Sequence, residues 1–249
     1  MSNFFDEEKL FSEYDKMRKN EQNYTDLVEV PSVLKLLPDR FDDMVILDAC
    51  CGSGKTTRYF AEHGAKLAVG IDVSEKMIEK ANSENTKENA VFICADVAKL
   101  NANANVHFDI VVSTAAFHFV EDLQGLFNSI YSVLNDGGIF CFSIEHPCMS
   151  ANTDRSDLRW EFDKKRNAKC YKLKNYFEET YREHTWFNEE ITVGIYHRTF
   201  STIINSLIKA GFVIEETFEP KPDREILPET MYNLYNTRPS TLVIKCRKK

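Results

Sequence analysis

The run Val45-Ile46-Leu47-Asp48-Ala49-Cys50-Cys51-Gly52-Ser53-Gly54 leaves the chain few choices of fold. Met44 to Ala49 reads as a buried strand that enters a glycine-bearing turn, with a helix expected over 55–63. An echo follows at Val69-Gly70-Ile71-Asp72, a second strand ending in an acid. Glycines at a strand-to-helix turn let a ligand approach the backbone, because no Cβ stands in the way. An acid roughly 20 residues on, at the tip of the neighbouring strand, can accept hydrogen bonds from both hydroxyls of a ribose. The pair implies a nucleoside-containing ligand at the carboxyl ends of a parallel sheet.

Three such ligands compete. Ala49 to Thr56 approaches the phosphate-loop pattern G-x-x-x-x-G-K-[ST], with Lys55 for the phosphates and Thr56 for magnesium. Asp48 would repel a polyphosphate there, and Phe108-Asp109-Ile110-Val111-Val112-Ser113-Thr114 ends in hydroxyls where a magnesium-binding acid is wanted. Gly52-Ser53-Gly54-Lys55-Thr56-Thr57 lacks the third glycine of a dinucleotide fingerprint. S-adenosylmethionine has no phosphate and a cationic amino-acid end, which an acid beside the turn favours.

The spacing D-x-x-x-G-x-G at Asp48, Gly52 and Gly54 resembles motif I of the class I S-adenosylmethionine-dependent methyltransferases, with Cys50 where that family usually has a glycine. Asp72, with Val73 beside it, resembles the ribose-binding acid of motif II. Ala95-Asp96-Val97 resembles the place where an acid and its neighbour hold the adenine. Phe108 to Ser113 resembles the fourth strand, and Leu134-Asn135-Asp136-Gly137-Gly138 the turn into the fifth. The resemblance runs in the family's order over roughly residues 40 to 145. It implies an α/β, Rossmann-like, seven-stranded and mostly parallel sheet of order 3-2-1-4-5-7-6. The last strand is antiparallel, helices cover both faces and an insertion follows strand five. It also implies S-adenosyl-L-methionine as cofactor, S-adenosyl-L-homocysteine as product, and cofactor contacts at Met77, Ser113 and His118.

Strands are read at 44–49, 67–71, 90–94, 108–113 and 138–143, with helices at 55–63, 74–82 and 121–134. Residues 1–40 form an amino-terminal helical cap, with helices over 4–18 and 27–37 and Pro31 in the first turn of the second. Tyr14 and Arg18 share one helix face, and Arg18 is a candidate fork for the cofactor carboxylate. Residues 41–147 are the cofactor-binding core, 148–198 an insertion over the active-site edge, and 199–249 the rest of the sheet. The insertion holds Trp160, Tyr171, Tyr176, Phe177, Tyr181, Trp186 and Phe187, too many rings for disorder. It reads as an antiparallel flap, or as an accessory layer or dimer contact. Pro220 to Pro239 reads as a loop closing over the same edge.

His146, in Glu145-His146-Pro147, is the candidate base, and Tyr196 and His197, in Tyr-His-Arg before a helix, are candidates on the acceptor side. Ordinary structural roles compete for each. The Glu-His-Pro and Tyr-His-Arg runs resemble a bacterial, type-11 branch of small-molecule methyltransferases. The segment Ser113 to Phe119 lacks the Asn/Asp-Pro-Pro-aromatic signature of amino-methyltransferases acting on nucleobases or glutamine, the Pro-Cys nucleophile of cytosine-carbon enzymes, and the acids of metal-assisted catechol enzymes.

A net charge of −8 argues against nucleic acid as partner, since such binding needs clustered Lys and Arg. Seven cysteines without a CxxC pair read as reduced thiols of a cytoplasmic protein, and no metal site is expected. No apolar run of membrane-spanning length appears. The expected activity is methyl transfer to an O, N or C nucleophile of a small molecule, by a monomer or homodimer. The rival is a non-catalytic cofactor-binding or partner subunit, with a phosphate-loop hydrolase behind it.

Overall fold

The apolar runs form one central sheet. The computed structural model describes residues 4–20, 23–101, 106–152, 156–165, 167–186 and 191–249. Ahead of the sheet lie α1 (Glu8–Lys19) and α2 (Val30–Leu34). The helical turn Thr25–Glu29 that leads into α2 is a wider π-turn, with the Val30 N–H reaching the carbonyl of Thr25. Pro31, next in line, has no N–H to continue the ordinary ladder. The core then alternates: β1 (Val45–Ala49), α3 (Lys55–Glu62), β2 (Leu67–Asp72), α4 (Glu75–Glu84), β3 (Ala90–Cys94), β4 (Phe108–Ser113), α5 (Leu123–Val133) and β5 (Leu134–Glu145). Next come the short helices α6 (Pro147–Ser150) and α7 (Ser156–Arg159), the strands β6 (Trp160–Phe162), β7 (Ala168–Tyr171), β8 (Tyr181–Trp186) and β9 (Ile191–Tyr196), then α8 (Phe200–Lys209), β10 (Phe212–Phe218), α9 (Glu229–Thr237) and β11 (Thr241–Lys248).

The main sheet runs β3-β2-β1-β4-β5-β11-β10, and β11 is antiparallel to both β5 and β10. This is the expected order, with the last strand inserted between the fifth and the sixth. Adjacent residues along a strand point to opposite faces, so a sheet covered on both sides needs apolar residues without a break. Ile46, Ile110, Cys141 and Val243 pack on one face with Phe60 of α3 and Ala81 of α4. Their neighbours Leu47, Val111, Phe142 and Ile244 pack on the other with Phe127 of α5 and Leu207 of α8.

Helix starts follow local chemistry. The Ser74 hydroxyl accepts the Met77 N–H at 3.2 Å and caps α4. The Thr199 hydroxyl does the same for Thr202 at the start of α8. Two expectations change. β5 begins at Leu134, four residues before the expected strand, because Leu134 pairs with Phe108 ahead of an irregularity in the ladder. The stretch from Pro220 to Pro239 contains α9, started by Pro228 and placing Met231 and Tyr235, one turn apart, on the same cavity. Within residues 148–198, β6 pairs with β7 and β8 with β9, both antiparallel. Phe187 lies outside the described residues. No helix among the described residues is long and apolar enough to cross a membrane.

Candidate active site

The turn after β1 is built on left-handed backbone. Cys50 has φ 63°, Gly52 φ 53° and Gly54 φ 77°. A side chain in that region crowds its own carbonyl, which explains a glycine at position 50 in the related pattern and makes Cys50 a locally strained substitute. At Gly54 a Cβ would collide with the Phe92 ring, so this glycine also lets α3 close on the sheet. Around Gly52 no atom lies within 4 Å of such a Cβ. Asp72, at the tip of β2, accepts the Gly52 N–H through Oδ2 and the Ser74 N–H through Oδ1, both at 2.9 Å. Burial raises its carboxyl above the ordinary range, against the pull of these N–H groups.

Cys50, Gly52, Asp72, Val73 and Met77 line a small cavity of about 60 Å³, closed from above by Phe4, Phe5 and Tyr14. Among the described residues no Lys or Arg lines it. Arg18 sits beside Ser53 and Tyr14 in an adjoining crevice, ion-paired to Asp26 at 3.2 Å. Lys55, the phosphate ligand of the hydrolase reading, pairs with the same Asp26 at 3.3 Å.

Several sequence candidates stand elsewhere. Asp48 is 1 % exposed and lies under the turn, where Oδ2 accepts the Thr57 hydroxyl at 2.7 Å. Burial pushes its carboxyl up to about 7. It lines neither cavity, whereas the sequence reading sets it beside the ligand's cationic end. Ser113 is fully buried with no partner for its hydroxyl, and its successor Thr114 lines the cavity instead. Asp96 Oδ1 accepts the Ala98 N–H at 3.0 Å, and the Val97 side chain is in the core, so neither side chain reaches the cavity. His118 faces a different, larger chamber.

That chamber has a volume of about 480 Å³ and shares Phe5, Tyr14, Ala115 and Phe119 with the small cavity. Ala115 takes φ 52° where the two meet, and its N–H donates to the Ser143 hydroxyl at 2.9 Å. The walls include Glu29, Glu145, His118, His184, Trp186, Tyr24 and Tyr235. The three catalytic candidates are not among them, and each has a structural task. His146 Nδ1 accepts the Cys148 N–H at 3.1 Å and caps α6, while its Nε2 meets Glu219 at 2.9 Å. His197 lies between the Ser150 hydroxyl at 2.7 Å and the Tyr176 carbonyl at 2.8 Å. Burial lowers both imidazoles below the ordinary value. Tyr196 stands on the outer face of β9 against Arg198 and Tyr181, while its neighbour Ile195 turns inward and lines the chamber.

The sequence reading missed Glu29, His184 and Tyr235, and passed over Glu145 for its neighbour. Glu29 is 4 % exposed in the apolar run Leu27-Val28-Glu29-Val30, and that misfit was its one signal. Its carboxylate accepts from Ser143 and Thr25, and burial raises its pKa. Burial takes Glu145 up to about 7, His118 down to about 3 and His184 down to about 4.

A methyltransferase domain family matches residues 47–142, the stretch that holds the turn, Asp72 and β4 to β5. An S-adenosylmethionine-dependent methyltransferase of known structure from Mesorhizobium loti is 31% identical over 88% of this chain and 96% of its own, with a TM-score of 0.75. The chain belongs to the class I S-adenosylmethionine-dependent methyltransferases. A Listeria monocytogenes structure described as a candidate member of this group is 32% identical to the methyltransferase, over 89% of this chain and 96% of its own, with a TM-score of 0.78. A Haemophilus influenzae protein of uncharacterised function is 33% identical across 98% of this chain and 96% of its own.

The residues present suit the cofactor. A lining without Lys or Arg among the described residues suits a nucleoside that carries no phosphate, and Asp72 on the wall is an acceptor of the kind a ribose diol needs; at about 60 Å³ the cavity holds only part of such a cofactor, and the rest needs the space beside it. Bound there, S-adenosylmethionine supplies a methyl group already activated on a sulfonium. The chain's own work is to align the nucleophile and to keep water out.

Proposed function

We propose that this methyltransferase modifies a small molecule held in the 480 Å³ chamber. The observation that carries this reading is the sharing of Phe5, Tyr14, Ala115 and Phe119 by the two cavities, which sets the acceptor space beside the cofactor space with only these residues between. Asp72 receives the ribose hydroxyls, Val73 and Met77 flank the adenine, and the Asp96–Val97 turn meets its edge. Gly52 and Gly54 allow the close approach, with Cys50 beside them, while Tyr14 and Arg18 attend the amino-acid end. The 1–40 cap and the 148–198 flap enclose the acceptor. All seven cysteines are free thiols, in keeping with a reducing, cytosolic setting.

Calorimetry with S-adenosylhomocysteine tests the cofactor half, and saturable binding is expected. Incubation with S-adenosylmethionine and a size-filtered metabolite extract, read by release of S-adenosylhomocysteine, tests the rest. Cofactor binding with no turnover from any fraction would favour a non-catalytic subunit.

A further inference from the structure

Among the described residues the chamber lining carries two acids, Glu29 and Glu145, and no Lys or Arg, and the guanidinium of Arg18 acts on Glu29 from outside that lining. Glu145 accepts no hydrogen bond among the described residues, and its nearest polar neighbour of opposite character is His184 Nδ1 at 3.9 Å from Oε1. The Glu145 side chain is 12 % exposed. His184 is 4 % exposed, and its Nε2 has no hydrogen-bond partner among the described residues. Arg238 and Arg159, neither of them in the lining, favour the charged form of Glu145. Arg238 is held by Ser240 and by the rings of Trp160 and Tyr171 at 5.2 and 5.0 Å. Glu29 pushes the other way. A buried carboxylate without a hydrogen-bond donor is costly unless a cation arrives or a proton binds.

Six rings also stand on the wall, Phe5, Tyr14, Tyr24, Phe119, Trp186 and Tyr235, among aliphatic residues and the neutral polar groups of Asn23, Thr25, Ser240 and Thr241. Tyr24 and Tyr235 are stacked, with centroids 4.1 Å apart. Ring faces attract organic cations where water is excluded. His118 and His184 stay neutral because burial lowers both, so they add no positive charge at neutral pH. A carboxylate acceptor would bring a third negative group to a wall with no cation.

We propose that the acceptor is an organic amine, received as its ammonium by Glu145 and Glu29, and that Glu145 takes the proton that must leave before the nitrogen can react. This deepens the methyl-transfer reading above and rests on it. An ammonium nitrogen has no lone pair. Its proton passes to the Glu145 carboxylate, leaving a neutral amine and a neutral acid. The nitrogen lone pair then forms the N–C bond as the C–S bond breaks, and that electron pair stays on sulfur as the thioether. The product is a methylated ammonium, and the proton on Glu145 returns to water.

The test uses one scaffold with three heads: 2-phenylethylamine, 2-phenylethanol and 3-phenylpropionate, with tyramine and tryptamine to vary size. Calorimetry on the protein saturated with S-adenosylhomocysteine should rank the amines above the alcohol and the acid by about 10- to 100-fold, the range for a charge-assisted hydrogen bond. Glu29→Gln and Glu145→Gln should each weaken amine binding with no change in S-adenosylhomocysteine affinity. With S-adenosylmethionine, Glu145→Gln should lower kcat by about 10²-fold or more, and the rise of kcat with pH through neutrality should vanish. Equal or tighter binding of the acid, or no binding of any of the three amines at millimolar concentration, overturns the proposal. Methylation of the acid or the alcohol alone also overturns it and leaves the methyl-transfer reading standing. Failure of S-adenosylhomocysteine to bind the native chain removes both. The wild-type ranking stands as a test even if a glutamine variant does not fold.

Discussion

Thr57 donates its hydroxyl hydrogen to Asp48 at 2.7 Å beneath the glycine turn, with neither side chain open to solvent. The acid of motif I thus serves the turn from below. Its carboxyl, raised to about 7 by burial, sits far from the value of about 3.9 in an unfolded chain. Between those values the folded state holds a proton that the unfolded state has lost. The stability tied to Asp48 is therefore complete below about pH 4 and lost as the pH climbs through 7. Asp48→Asn removes the titration and keeps the shape. The melting temperature of the variant minus that of the wild type should rise from pH 4 to pH 7 and level off above. The effect corresponds to a few kcal/mol at most, on the order of 1.4 for each pH decade. Scanning fluorimetry across that range reads it, and a flat difference would remove Asp48 as the cause.

Gly54 and Gly52 should respond differently to alanine. Both have positive φ, which costs a non-glycine residue roughly 1–2 kcal/mol. At Gly54 the added methyl also meets the Phe92 ring, whereas at Gly52 it meets nothing. Gly54→Ala should lower stability by about 3 kcal/mol or more once overpacking is added, and Gly52→Ala by about 1. Urea denaturation compares them, and equal losses would contradict the packing of Phe92.

Asp72→Ala should weaken S-adenosylhomocysteine by about 10²- to 10⁴-fold, because two hydrogen bonds to a charged acceptor disappear. Part of the loss comes from Gly52 and Ser74, whose N–H groups Asp72 now holds. Asp72→Asn retains one acceptor oxygen and should fall between. Calorimetry at fixed pH decides, and unchanged affinity in the alanine variant would move the ribose elsewhere.

His146→Ala should cost stability and spare chemistry. The ring caps α6 through the Cys148 N–H, and loss of a cap costs about 1 kcal/mol. Turnover at a temperature well below melting should stay within about twofold of wild type, against the about 10²-fold or larger loss expected of a base. A large fall in kcat with an intact melting curve would return His146 to the mechanism.

The lining of the small cavity was legible because its residues sit at strand ends or directly after them. Gly52 follows β1, Asp72 ends β2, and Val73 and Met77 come within five residues of it, so their spacing in the chain is also their spacing in space. The lining of the larger chamber was not. Tyr14, Glu29, His118, Glu145, His184 and Tyr235 come from six separate segments, and no spacing in the chain marks them as neighbours. Where a candidate was close in sequence it failed by one position. Glu145 lines the chamber and His146 does not; Ile195 faces in and Tyr196 faces out. Side chains alternate along an extended chain, so an error of one residue reverses the direction.

By itself, the amino-acid sequence determined the sheet and its turn. Unbroken apolar runs bury both faces, and glycines admit backbone that other residues resist. The tertiary structure alone decided which acids line the larger chamber. It turned Asp48 inward to Thr57 and left Glu145 at the chamber without a donor, because burial and partners are set by distant segments once they have packed.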